Sequence, residues 1–341
     1  MPEEPTYSLT DIPFIDLQNV QGRFLISTLF YSQKAWRMWV PAGGKLMEMQ
    51  VVRPAEMFYF GSEPASTNDT KFDFLTFIAQ QASFPPVKKA VGGLMDDIFN
   101  LTASIAKIKH LHTSRAVLGE GVSRMAVTEV EYLIFLCRGI FDFLQEVISR
   151  LWEDVTFSNF SQQKRSLKDR QTFSKVVVYN GAEASFEQIK ERTSMPDRLV
   201  AWYCRHTRFF MSLRAFRDNL VHCGTPIQTL LVMEDGFAIQ ERMTAFKDMD
   251  VWFDEERGAN NIVPLMPALA MIVYNTLAAC EDLSLTMREC IKFPDDLAPG
   301  MSLYMRSYFN ETFMEMLFDL NKRMQLLSQQ PGATMTGIRI K

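Results

Sequence analysis

Hydrophobic positions along this chain change character near residue 70. Across 14–39 the apolar anchors Phe24, Leu25, Leu29 and Phe30 follow no sustained period, and Pro41-Ala42-Gly43-Gly44 breaks the chain. Residues 46–60 fit either a pair of strands or an irregular cover, and 61–69 form a polar loop. Beyond that point the pattern turns helical. Residues 72–82 read as one helix, and Pro85-Pro86 opens another in which Val87, Val91, Leu94, Ile98, Leu101 and Ile105 recur every three or four positions, interrupted only weakly at Gly92-Gly93. Ser123 has the chemistry of an N-cap for a long helix to Trp152, striped by Val127, Val130, Ile134, Cys137 and Phe141.

The remaining elements are shorter. Residues 161–175 are polar and basic, a loop. Val176-Val177-Val178-Tyr179 before Asn180-Gly181 predicts a strand and tight turn, and 185–192 a short helix. Segments 229–233 and 237–240, joined through Glu234-Asp235-Gly236, predict a hairpin, because Asp-Gly favours a tight turn. Pro196 opens a helix that ends near His222, and two more run over about 264–291 and 304–327. The expected class is mainly α, a helical bundle with one or two small β hairpins. Residues 1–70 are expected to be an N-terminal extension or cover segment, frayed before Asp11. Residues 71–328 form the helical domain, and 329–341 a flexible tail.

Composition narrows the function classes. Of 341 residues, 47% are hydrophobic, enough for a sizeable core. A net charge of -4 makes the molecule no polycation, so a nucleic-acid surface would be a local patch. The 21 methionines suit irregular helix packing. Five widely spaced cysteines with no C-x-x-C pair give no support to a zinc ribbon or redox pair, and point to buried thiols in a reducing cytosol. The uncharged run 262–280 is just long enough for a bilayer, but Pro264, Pro267, Asn275 and Thr276 interrupt it and Glu281-Asp282 follow, so a buried core helix is expected. Met1-Pro2-Glu3-Glu4-Pro5 lacks the apolar core of a signal peptide. The expectation is a cytoplasmic protein with no membrane contact.

Candidate chemistry concentrates in one helix. Trp202, His206, Phe209, Leu213, Phe216 and Leu220 are spaced four, three, four, three and four, so they share a face that must meet the core, with His206 as its one polar member. Arg214, Arg217 and Asp218 lie off that stripe. Asp218 can pair with Arg214 and with His222, each four positions away. An arginine can hold a phosphate and a histidine can move protons, so Arg217 and His222 suit a phosphodiester. On a regular helix they stand about 140° apart, so they converge only if the helix unwinds near Gly224 or across a contact between two subunits. A plainer reading is also open: histidine in a last turn is favoured by the helix dipole, and Gly224 is a natural C′ residue. The other histidines offer less. His110 and His112, two apart, diverge on a helix and do not suggest a metal site, and His206 reads as a satisfied core histidine. Gly119-Glu120-Gly121 lacks the strand and lysine of a phosphate loop.

Arg217-Asp218-Asn219-Leu220-Val221-His222 resembles the R-x(4–6)-H signature of the HEPN superfamily. In that family the residue after the arginine is polar, more often Asn than the Asp found here. The resemblance covers this helix and, loosely, the 123–152 helix with Arg138, Asp142 and Glu146. It implies a helical bundle that dimerises to bring two Arg–His pairs into one cleft. It also implies metal-independent RNA cleavage in a toxin or antiviral setting with an antitoxin or defence partner protein, or, in inactive members, a scaffold or nucleotide-binding module. Carried over, Arg217 binds the scissile phosphate, His222 acts as general base or acid, and Asp218 or Asn219 orients them. Arg214, Lys164, Arg165, Lys168 and Arg170 are candidate RNA contacts. No metal ligand or cofactor is implied.

Overall fold

The computed structural model describes residues 6–8, 14–43, 45–49, 55–154, 165–223, 227, 230–242, 246 and 249–329, excepting the side chains of 6–8, 41–42, 45–46, 153–154 and 220–223. His222 therefore has a described backbone, while its side chain, like all of Lys164 and the 330–341 tail, lies outside the described residues.

The first part of the chain builds strands: β1 (Thr6–Ser8), β2 (Leu29–Ser32), β3 (Ala35–Ala42), β4 (Lys45–Met49), β5 (Met57–Gly61) and β6 (Thr70–Lys71). The helices follow: α1 (Asp73–Phe77), α2 (Lys88–Thr113), α3 (Arg115–Leu118), α4 (Val122–Asp154) and α5 (Phe173–Val177). A small hairpin, β7 (Val178–Tyr179) and β8 (Ala182–Glu183), leads to α6 (Phe186–Thr193) and α7 (Asp197–Cys223). Then come β9 (Leu231–Val232), β10 (Phe237–Gln240), β11 (Ile262–Pro264), α8 (Leu265–Cys290), β12 (Ser302–Arg306) and α9 (Glu311–Leu327).

The expected mainly-α bundle does not hold: the fold is mixed α/β. Seven strands form one sheet in the order β1-β4-β3-β2-β5-β12-β6, antiparallel except where β2 runs parallel to β5. The 304–327 segment, expected to be a single helix, begins as a strand: Tyr304 pairs with Tyr59 of β5 and with Lys71 of β6. Thr6–Ser8, expected to be frayed, pairs with β4. The sequence signal failed for a physical reason. Phe58, Tyr59 and Phe60 are consecutive aromatics on a strand covered on both faces, so no alternation of polar and apolar positions marks it. The partner of β12 also lies some 240 residues earlier in the chain, beyond any local pattern.

The helical elements match the periodicity more closely. In α2, Val91, Leu94, Ile98 and Ile105 are buried, and in α4 so are Val127, Val130, Ile134 and Phe141. Gly93 marks the close approach of these two helices, since a Cβ there would lie 2.5 Å from the Phe143 ring. Ser123 does not cap α4. It sits inside the first turn and its hydroxyl donates to the Leu230 carbonyl at 2.7 Å. Ser185 does cap α6, through a reciprocal pair with Gln188. The β7–β8 turn uses Asn180 and Gly181 with φ of 49° and 83°, the left-handed pair of a type I′ hairpin. The Asp-Gly hairpin forms as β9–β10, and β11 extends it to three strands.

Helix α4 packs against α2, α7 and α8, and α9 lies on α2 and α8. Sheet and helices share one continuous core that runs from Phe30, Trp39 and Phe60 through Phe141 and Trp202 to Leu277. A smaller cluster, Leu29, Met57 and Tyr59, occupies the other face of the sheet. The apolar helix α8 is part of that shared core: 72% of its most apolar 18-residue window is buried against the rest of the chain.

Candidate active site

Helix α7 is anchored by large rings. Trp202, Tyr203 and Phe210 are fully buried, and Phe173 of α5 packs on all three with centroids 5.7, 5.4 and 4.7 Å away. The stripe read from sequence is nearly correct. Trp202, His206, Leu213 and Phe216 are buried, but Phe210 rather than Phe209 is the deeper ring. This anchoring fixes the orientation of the next turns and leaves the polar positions facing outward.

There the structure brings Arg214, Arg217 and Asp218 together. Arg214 Nε donates to Asp218 Oδ2 at 3.3 Å, and Arg217 Nη1 donates to Asp218 Oδ1 at 3.1 Å. The three side chains are 36%, 41% and 38% exposed, so each remains open to solvent while touching the others. Two guanidinium groups share one carboxylate, so the three side chains together carry one net positive charge. Arg217 uses one of its donors on Asp218, among the described residues, and a guanidinium has five. Asn219 is half-buried in the same turn. Helix α7 stays helical through Cys223, so no unwinding ahead of Gly224 brings Arg217 and His222 onto one face.

The basic segment before α5 is held elsewhere. The Arg170 carbonyl accepts from Gln145 Nε2 at 2.7 Å, and the Arg165 carbonyl accepts from Trp152 Nε1 at 2.8 Å. Gln145 in turn accepts a hydrogen bond from the Tyr203 hydroxyl. Tyr203 precedes Arg217 by 14 residues, about 21 Å of helix axis at 1.5 Å per residue. Arg165, Lys168 and Arg170 are therefore not partners of Arg217 within one catalytic cluster, although an extended ligand could reach both. On α4, Arg138 pairs with Asp142 at 2.8 Å, Asp142 accepts from the Phe173 backbone at 3.1 Å, and Arg150 reaches Glu146 at 3.4 Å. These groups serve helix packing.

Sequence reasoning missed a second polar cluster beside the core. His206 is 4% exposed, and its Nε2 donates to Asp282 Oδ2 of α8 at 2.9 Å. Arg205 donates to the same carboxylate. Burial alone would raise the Asp282 carboxyl, but the hydrogen bonds from His206 and Arg205 outweigh it and hold Asp282 below the usual carboxylate range. The signal was present in the sequence as Glu281-Asp282 directly after the uncharged run 262–280, inside α8, but its partner on α7 becomes visible only after folding. With its ring buried and satisfied, His206 ties α7 to α8.

The other histidines separate as their spacing implied. His112 is buried and donates to the Met233 carbonyl at 2.9 Å, while His110 is exposed. Among the described residues, no group of three or more His, Cys, Asp or Glu side chains is arranged to hold a metal ion. Burial pushes the Cys137 thiol up to about 12 and raises Cys280 as well, which disfavours thiolate chemistry at either position.

No family model, no curated protein and no solved structure matches this chain. The likeness to the HEPN superfamily rests on the 217–222 motif itself.

Proposed function

We propose that the chain is a metal-independent, HEPN-like endoribonuclease that works in the cytoplasm as a homodimer, in a toxin or antiviral defence setting with a partner protein that restrains it. The observation that carries this reading is the half-exposed Arg214–Asp218–Arg217 cluster at the end of a ring-anchored helix, one turn before His222. In the proposed reaction His222 removes the proton from a ribose 2′-hydroxyl, and the 2′-oxygen attacks the adjacent phosphorus. The 5′-oxygen leaves with a proton, giving a 2′,3′-cyclic phosphate and a 5′-hydroxyl. Arg217 donates to the phosphate oxygens where charge grows, and Asp218 keeps its guanidinium oriented. Because α7 remains helical through Cys223, the reading pairs Arg217 of one subunit with His222 of the other across a two-fold contact.

The test is cleavage of an RNA pool in EDTA by the native chain, by Arg217→Ala and by His222→Ala. The expected result is cyclic-phosphate ends from the native protein alone. Equal cleavage by all three, or none by the native chain over a broad RNA set, overturns the proposal. The second outcome would favour a non-catalytic helical interaction or nucleotide-binding module on the same scaffold.

A further inference from the structure

A cavity of about 1000 Å³ opens between α2, the 24–26 segment, β5, the 307–310 link from β12 to α9 and the first residues of α9. Its volume is that of a small-molecule site. Its wall is built rather than incidental. Thr102 of α2 donates to the Tyr308 carbonyl, Asn310 Nδ2 donates to the Thr102 carbonyl at 3.0 Å, and Asn310 also caps α9. These bonds pin the link against α2 and fix the Tyr308 ring, which lies flat on Phe99 with centroids 4.0 Å and planes 13° apart. Phe58 stands 6.4 Å from Tyr308.

Charge around these rings is one-sided. Glu56, Asp96 and Glu311 line the cavity against a single base, Lys88. Glu56, Asp96 and Tyr308 line the same space, and burial, then the charges of the two carboxylates, raise the Tyr308 hydroxyl and keep the phenol neutral. The interaction that such a wall offers already occurs within it, where the Lys88 ammonium sits over the Phe24 ring, 5.7 Å from its centroid. Neutral aromatic faces backed by carboxylates attract a cation with an apolar body. They repel phosphates and carboxylates, and gain little from a neutral ligand.

We propose that this cavity binds a small organic cation, a quaternary ammonium or alkylated amine, with its charged head between the Tyr308 ring and the carboxylates of Glu56 and Asp96. The site is separate from the end of α7, and the proposal does not depend on ribonuclease activity.

Isothermal titration of the full chain with choline and with its neutral isostere 3,3-dimethyl-1-butanol tests it. Choline should bind about tenfold or more tightly than the isostere, the ratio expected of a cation over ring faces. Tyr308→Leu and Asp96→Asn should each weaken choline by a similar factor. Lys88→Met, which removes the competing ammonium, should tighten it. Asp96 and Lys88 are exposed, so their variants keep the fold and read the site itself, with unchanged thermal melts as the control. Equal affinity for the two probes, choline binding indifferent to Asp96→Asn, or no binding of choline or benzyltrimethylammonium at millimolar concentration would overturn the proposal.

Discussion

Asp69 and Asp218 each meet arginine, in opposite surroundings. Asp69 lies between β5 and β6 with its side chain 1% exposed. Arg306 of β12 grips both carboxylate oxygens at 2.8 and 2.6 Å, and its own side chain is 8% exposed. The Tyr59 hydroxyl adds a third donor at 2.8 Å, the Ala65 backbone donates to that hydroxyl, and the Arg306 guanidinium stacks on Trp36. Burial alone would raise the Asp69 carboxyl, but the hydrogen bonds from Arg306 and Tyr59 prevail and lower it. At Asp218 the same chemistry is open to water, with one bond from each arginine. The first cluster is a lock that fastens a late strand into an early sheet. The second is weak as a structural element and, in the proposed function, holds donors open to a ligand. Solvent access, rather than residue type, separates the two roles.

Breaking the lock should have the largest effect. Arg306→Met strands the Asp69 carboxylate and is expected to lower stability by about 3–5 kcal/mol, read by denaturant melts. Asp69→Asn, which keeps an acceptor, should cost less. A loss below 1 kcal/mol for Arg306→Met would show that the two clusters are energetically alike. At the other cluster the expected effect is on activity. Arg217→Ala and His222→Ala should each reduce RNA cleavage about 100-fold or more while leaving the melt nearly unchanged. Mixing the two inactive variants sharpens this. A site shared between subunits should return about a quarter of native activity, since half of the dimers then hold one intact Arg–His pair. No recovery on mixing would place both groups in one subunit.

A third aspartate extends the comparison. Burial first, and then the neighbouring charge of Asp96, push Asp97 up to about 6. Its folded value exceeds its unfolded one, so the folded state binds the extra proton and this contribution weakens as pH rises from about 3.8 to about 6. Asp97→Asn should therefore stabilise the protein at pH 7.5 and flatten its stability profile across that window. Asp69 has the opposite sign, adding stability above its unfolded value that fades in acid. Urea melts at several pH values separate the two. The smallest effect belongs to Asp218→Ala, about 1 kcal/mol or less of stability, because its ion pairs are solvent-screened.

Much of the helical half was legible because each helix buries a stripe that repeats every three to four residues. Val91 to Ile105 on α2 and Trp202 to Phe216 on α7 are examples. Asn180-Gly181 marked one hairpin because both residues take left-handed backbone, and Asp235-Gly236 marked a second without it. The Arg214–Asp218 pair was legible too, since i and i+4 positions on a helix must be neighbours. The sheet was not. Residues 57–61 and 302–306 carry apolar residues without alternation, and their pairing joins the two ends of the chain.

The sequence by itself determined the amphipathic helices, the tight turns and the Arg217-to-His222 motif at a helix end, because these depend on local spacing and backbone preference. Tertiary structure decided that β12 completes the sheet, that Asp282 meets His206, that rings from α2 and the 307–310 link line an open cavity together with carboxylates, and that one Asp–Arg cluster is sealed while the other stays wet. Those outcomes depend on which distant segments exclude water from each other, and no local pattern encodes that.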